Sequence, residues 1–129
     1  MAELDRDASR FSDTMQRHIK NAAALSIEAY EVAQSRRERL RRLHRNLEGK
    51  VDAFVTLAHI GPGQKGDPSM GTPWYNDASS AIGAPSFNLP LLSVEDVPLG
   101  VQLMGFEGRD ASLTAIARWF LDGARAQAI

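Results

Sequence analysis

The chain has 129 residues, 43% apolar and 24% charged, with a formal net charge of −1 and no cysteine. That length and composition suit one globular domain rather than a disordered segment. A charge so near zero gives no whole-protein field toward nucleic acid or an anionic membrane, and the lack of cysteine removes disulfides, thiolate nucleophiles and cysteine metal sites.

The charged opening MAELDRDASR has no apolar segment behind it, so no secretory signal is expected. No apolar run approaches the ~20 residues of a membrane helix. A soluble cytoplasmic protein is the expectation. Residues 1–50 hold no glycine before Gly49 and no proline, and read as a helical part with two helices. The first is expected over Ser9–Ala22. The second starts at Ser26, whose hydroxyl suits an N-cap, and runs to Glu48, with Gly49 in a left-handed closing position. Ile27, Tyr30, Ala33, Arg37, Leu40, His44 and Leu47 recur every three or four residues and trace one face.

Residues 51–129 read as strand, loop, helix, strand, strand, helix. VDAFVTL alternates as a strand should. The glycine- and proline-rich stretch 58–73 is a long loop. WYNDASSAIG makes a short helix closed by Gly83, and PSFNLPLL and VPLGVQLMG are strands joined by the turn SVED. The stretch from Asp110 to Ala126 is an amphipathic helix capped by Asp110, with Leu113, Ile116, Ala117, Phe120 and Leu121 inside. This order predicts an α/β unit, a mixed sheet with flanking helices, and one structural unit from both parts.

Four features invite a chemical reading. RRERLRRLHR, Arg36 to Arg45, could face phosphates, but Glu28, Glu31, Glu38 and Glu48 partner it and no aromatics interleave, so a solvated helix face is the better account. Arg37 and His44 break the apolar stripe and are read as polar heads reaching past the core's edge. Ser79 and Ser80 have no glycine-rich turn to expose them, and a triad with His59 and Asp77 is no better than chance. HIGPGQKG lacks the spacing of a phosphate-binding loop. His18, His44 and His59 match no zinc pattern; neither metal nor cofactor is expected.

Three stretches carry a family resemblance. VDAFVTLA resembles a strand of the amidase signature family, with Ala58 where that family has proline. GAPSFNLPLL resembles its G-x-P-x-x-x-x-P segment, here Gly83, Pro85 and Pro90. VPLGVQLMGFEGRDASLTAIARWF resembles its strand–helix pair, with Pro98, Gly100, Gln102 and Gly105. The resemblance covers the chain from about Leu25 onward and implies a C-terminal segment of that fold.

It also implies the chemistry of the longer relatives: amide C–N hydrolysis through an acyl-serine, using a serine nucleophile, a second serine on a cis peptide and a lysine base. None of those motifs is in this sequence, whose lysines are Lys20, Lys50 and Lys65. No catalytic residue is therefore assigned. Gly83, Pro85, Pro90, Pro98, Gly100, Gln102 and Gly105 are read as scaffold, and Trp74, Tyr75 and Asn76 as candidates for the rim of an amide site. The implied partners are a small-molecule amide in a full-length parent, and either further copies of the chain or a missing N-terminal portion. No specific nucleic acid and no membrane are expected. The alternative is a non-catalytic, amidase-derived binding or assembly protein.

Overall fold

The computed structural model describes residues 10–61 and 74–127. The chain divides into two compact units, Met1–Arg36 and Arg37–Ile129. The sequence boundary at residue 50 falls inside the second.

Helix α1, Asp13–Ala23, starts after Ser12, whose hydroxyl accepts the Met15 amide at 3.3 Å. The expected start, Ser9, lies outside the described residues. Helix α2, Ile27–Arg45, is capped as the sequence indicates: Ser26 Oγ accepts the Ala29 amide at 3.2 Å. It stops at Arg45 rather than Glu48. There the Leu47 and Glu48 amides bond back three residues, to His44 and Arg45, tightening the last turn before Gly49 (φ 79°). No described residue of either helix is buried. The expected apolar face remains open, with Tyr30 and Leu40 both about half exposed.

The second unit is built on three strands in the order β1-β3-β2: β1 (Phe54–Leu57), β2 (Ser86–Val94) and β3 (Val97–Met104). Both pairings are antiparallel, with Thr56 and Asn88 flanking Gln102 across the middle strand. The α/β character expected from the sequence is present. Strand β2 passes through Pro90 and runs two residues beyond the expected Leu92. The ladder slips in a bulge between Leu89 and Leu92, absorbing the residue that lacks an N–H, and pairing resumes to Val94. The hairpin then turns on Glu95 and Asp96 alone, both at positive φ (51° and 63°), rather than on all of SVED.

Alternation along the strands separates two faces. One carries Leu89 and Leu103, which pack with Leu113 and Ala117 of α4 (Asp110–Gln127) into the core, joined by Ala53, Leu91 and Phe120. The inner face expected of this helix is thus the buried one. Its cap is not Asp110, which is already helical. The Leu113 amide bonds to the carbonyl of Arg109 at 2.9 Å, making Arg109 the flanking residue and Asp110 an acidic group in the first turn, where the helix dipole favours it.

Candidate functional site

The other face of the sheet is polar at its centre. Phe54, Thr56, Ser86, Asn88, Gly100, Gln102 and Met104 share it by register. Helix α3, Trp74–Ile82, meets this face through Ser79 and turns its N-terminal residues toward the end of β1.

Gln102 sits at the middle of this face, 2% exposed. Its Oε1 accepts the Thr56 hydroxyl at 3.4 Å, and its Nε2 donates to Ser79 Oγ at 3.4 Å. Ser79, also buried, donates its own proton to the Asn76 carbonyl at 2.9 Å. The Asn76 side-chain amide donates to Ala58 O at 3.4 Å, and the Ala58 amide donates to Gly100 O at 2.8 Å. A polar residue in a helix, three positions before buried Ile82, was the sequence signal that Ser79 faces inward.

These bonds tie Ser79 into the contact between α3 and the sheet. The Ser79 proton is committed to a carbonyl of its own helix. Among the described residues, no hydrogen bond joins either serine to His59 or Asp77. His59 Nδ1 instead lies 2.8 Å from Gly61 O, and Nε2 is buried with no partner among the described residues.

The scaffold residues fall around the same face. A Cβ on Gly100 would run into the side-chain amide of Asn88, the residue that pairs with Gln102 across the ladder, so this glycine makes room for a diagonal neighbour. Gly83 ends α3 at φ 71°. The Gly105 amide donates to Pro85 O at 2.9 Å, extending the β2–β3 pairing beyond its last rung. Pro98 pairs with Ser93 in β3. Trp74 is 72% exposed at the first turn of α3, beside the exposed Tyr75 and Asn76. Lys65 and most of HIGPGQKG lie outside the described residues.

The arginine run is partly structural. Arg37 Nε donates to Ala81 O at 2.6 Å and Arg41 Nε to Ile82 O at 3.0 Å, so two cations of α2 meet the negative end of α3 and satisfy two of its last carbonyls. Arg45 reaches Glu38 at 3.0 Å and Glu107 at 3.8 Å. His44 does not extend past the core's edge. Its ring lies 4.7 Å from Phe106 and 5.4 Å from Phe54, with Nε2 buried and unpaired among the described residues. That burial holds its pKa below the ordinary 6.5, against a smaller opposing pull from Glu48. Beside it an apolar cavity of about 280 Å³ opens between Leu40, Leu43, Leu47, Phe54, Ile82 and Met104.

Among the described residues no cluster of histidine and carboxylate side chains could hold a metal ion, and no helix is long and apolar enough to cross a membrane. No family model matches the chain, and no curated protein does. Its structure is similar to that of an amidase: TM-score 0.73 and 26% identity, over 92% of this chain and 30% of the amidase chain. It is also similar in fold to a subunit of the glutamyl-tRNA(Gln) amidotransferase from Thermotoga maritima, with TM-score 0.53 and 18% identity over 87% of this chain and 28% of that one. The chain therefore spans less than a third of either. It carries the fold of one part of the amidase signature family, the family its sequence motifs resemble.

Proposed function

We propose that this chain is the part of an amide hydrolase that forms one wall of the substrate site and leaves the bond-breaking groups to residues outside it. The likeness to 30% of an amidase chain, at 26% identity, carries this reading. On it, Gln102 and its partners hold the wall in shape, and Trp74, Tyr75 and Asn76 stand at its rim against a small-molecule amide. The hydrolysis would proceed in the full-length parent, in the cytoplasm, through the family's serine and lysine groups. The arginines left exposed on α2 give only weak, salt-labile contact with nucleic acid, because phosphate contacts of that kind release counterions without reading sequence.

The test is ammonia release from a panel of aliphatic and aryl primary amides. The 129-residue chain should release none above background. A natural product extended beyond Met1 through a glycine- and serine-rich segment should hydrolyse at least one of them. Turnover by the short chain that Ser79→Ala or Ser80→Ala abolishes would overturn the reading.

A second reading is favoured by the open apolar surface. Leu40 and Leu43 are each more than half exposed beside the cavity, and Val55 is likewise exposed on the edge strand β1. A non-catalytic assembly protein would bury such surface against further copies of itself. Sedimentation across a tenfold dilution separates the two: a concentration-dependent dimer supports assembly, and a monomer throughout removes it.

A further inference from the structure

The hydrogen bonds around Gln102 run in one direction. The Thr56 hydroxyl donates to the Gln102 carbonyl oxygen, the Gln102 amide donates to the Ser79 hydroxyl, and that hydroxyl donates to the Asn76 carbonyl. Gln102 and Ser79, the two middle groups, each receive one proton and give one onward, so successive bonds polarise one another. The chain of bonds begins on β1, crosses the middle strand and ends in the first turn of α3, one residue from Tyr75 and two from Trp74. It passes through both buried polar side chains found among the described residues, Ser79 at 4% and Gln102 at 2% exposure. A buried carboxamide stripped of partners is left with its desolvation uncompensated. Gln102 therefore favours the placement of α3 that keeps Ser79 within reach, and Ser79 passes that constraint to Asn76.

We infer that Gln102 is a positioning residue, and that its relay through Ser79 sets where the Trp74–Asn76 turn stands. The inference rests on the reading of that turn as a site rim for its functional meaning, though not for its geometry. Leu99 supplies the comparison, being buried in the same strand yet outside the relay.

The experiment uses the full chain labelled with 5-fluorotryptophan, in a Trp119→Phe background, so that Trp74 gives the single fluorine resonance. Ser79→Ala should shift that resonance, and Ser79→Thr, which keeps the hydroxyl, should restore it. Gln102→Leu should give the same shift, and Gln102→Leu with Ser79→Ala should add nothing further, since one break already opens the relay. Leu99→Ala should leave the resonance in place while lowering the melting temperature. Should Gln102→Leu fail to fold, the two Ser79 variants decide the matter alone. An unmoved resonance in Ser79→Ala, or the same shift in Ser79→Thr, would overturn the relay. Titration with benzamide judges the rim reading separately: a response at Trp74 in the parent chain supports it, and none removes it without touching the relay.

Discussion

Arg109 donates through Nε to Glu48 Oε1 at 2.8 Å, tying the turn after α2 to the residue that flanks α4, 61 positions along the chain. Both side chains are more than a third exposed. Water and salt screen such a pair, so its worth is at most about 1 kcal/mol. Arg109→Ala should therefore lower stability in urea by no more than that, and the difference from the parent should shrink as salt is raised toward ~1 M. A loss of several kcal/mol that salt does not touch would mean that Arg109 acts through packing.

His44 gives the chain a dependence on pH. Its folded pKa lies below the unfolded value because the ring is partly desolvated where it lies against Phe54 and Phe106. The unfolded chain then binds the proton more readily, so stability rises with pH through that window. The contribution is complete above about 6.5 and is lost as pH falls from there through the folded value. The Glu48 carboxylate, one turn on, softens the loss. Melting curves between pH 5 and 8 should show this slope in the parent and a flatter one in His44→Phe, which keeps a ring between the two phenylalanines. Parallel slopes would assign the pH dependence elsewhere.

The β2–β3 turn carries strain that can be removed. Glu95 and Asp96 both occupy positive φ, where a side chain costs about 1–2 kcal/mol and glycine costs nothing comparable. Asp96→Gly should raise stability by about 1 kcal/mol and the melting temperature by a few degrees. A fall in melting temperature would show that the Asp96 side chain holds the turn by a contact of its own.

Gly100 and Asn88 should behave as a coupled pair. Gly100→Ala places a methyl group against the Asn88 amide and should cost about 1 kcal/mol through overpacking. In an Asn88→Ala background the same change should cost little, because the obstruction is gone. Additive losses in this double-mutant cycle would refute the contact.

How much of this was legible in advance depended on where the deciding contacts lie in the sequence. Ser26 announced its helix because a cap is made within three residues. The Leu113–Ala117 face announced α4 because its period is local. Other outcomes were set across the fold. Arg37 and Arg41 read as solvent-facing, since their carbonyl partners lie 44 and 41 residues away at the end of another helix. His44 read as an edge residue because nothing nearby in sequence foretells Phe106. Pro90 lacks the N–H a ladder needs, and only the bulge in pairing with β3 shows how the strand continues past it. The motif residues were read as scaffold with no face assigned, and Gln102 alone could not reveal that its partners would be Thr56 and Ser79.

The arginine contacts at the end of α3 have a mechanical consequence. They anchor the carbonyls of Ala81 and Ile82 by guanidinium groups that stay charged at every pH the protein tolerates. That end is a fulcrum. A nine-residue helix is about 13 Å long, so a tilt of roughly 10° about it would carry Trp74 some ~2 Å while leaving Ile82 almost where it was. Displacement of the helix is thus converted into a sweep of its aromatic tip, with the amplitude governed at mid-span, where Ser79 meets the sheet.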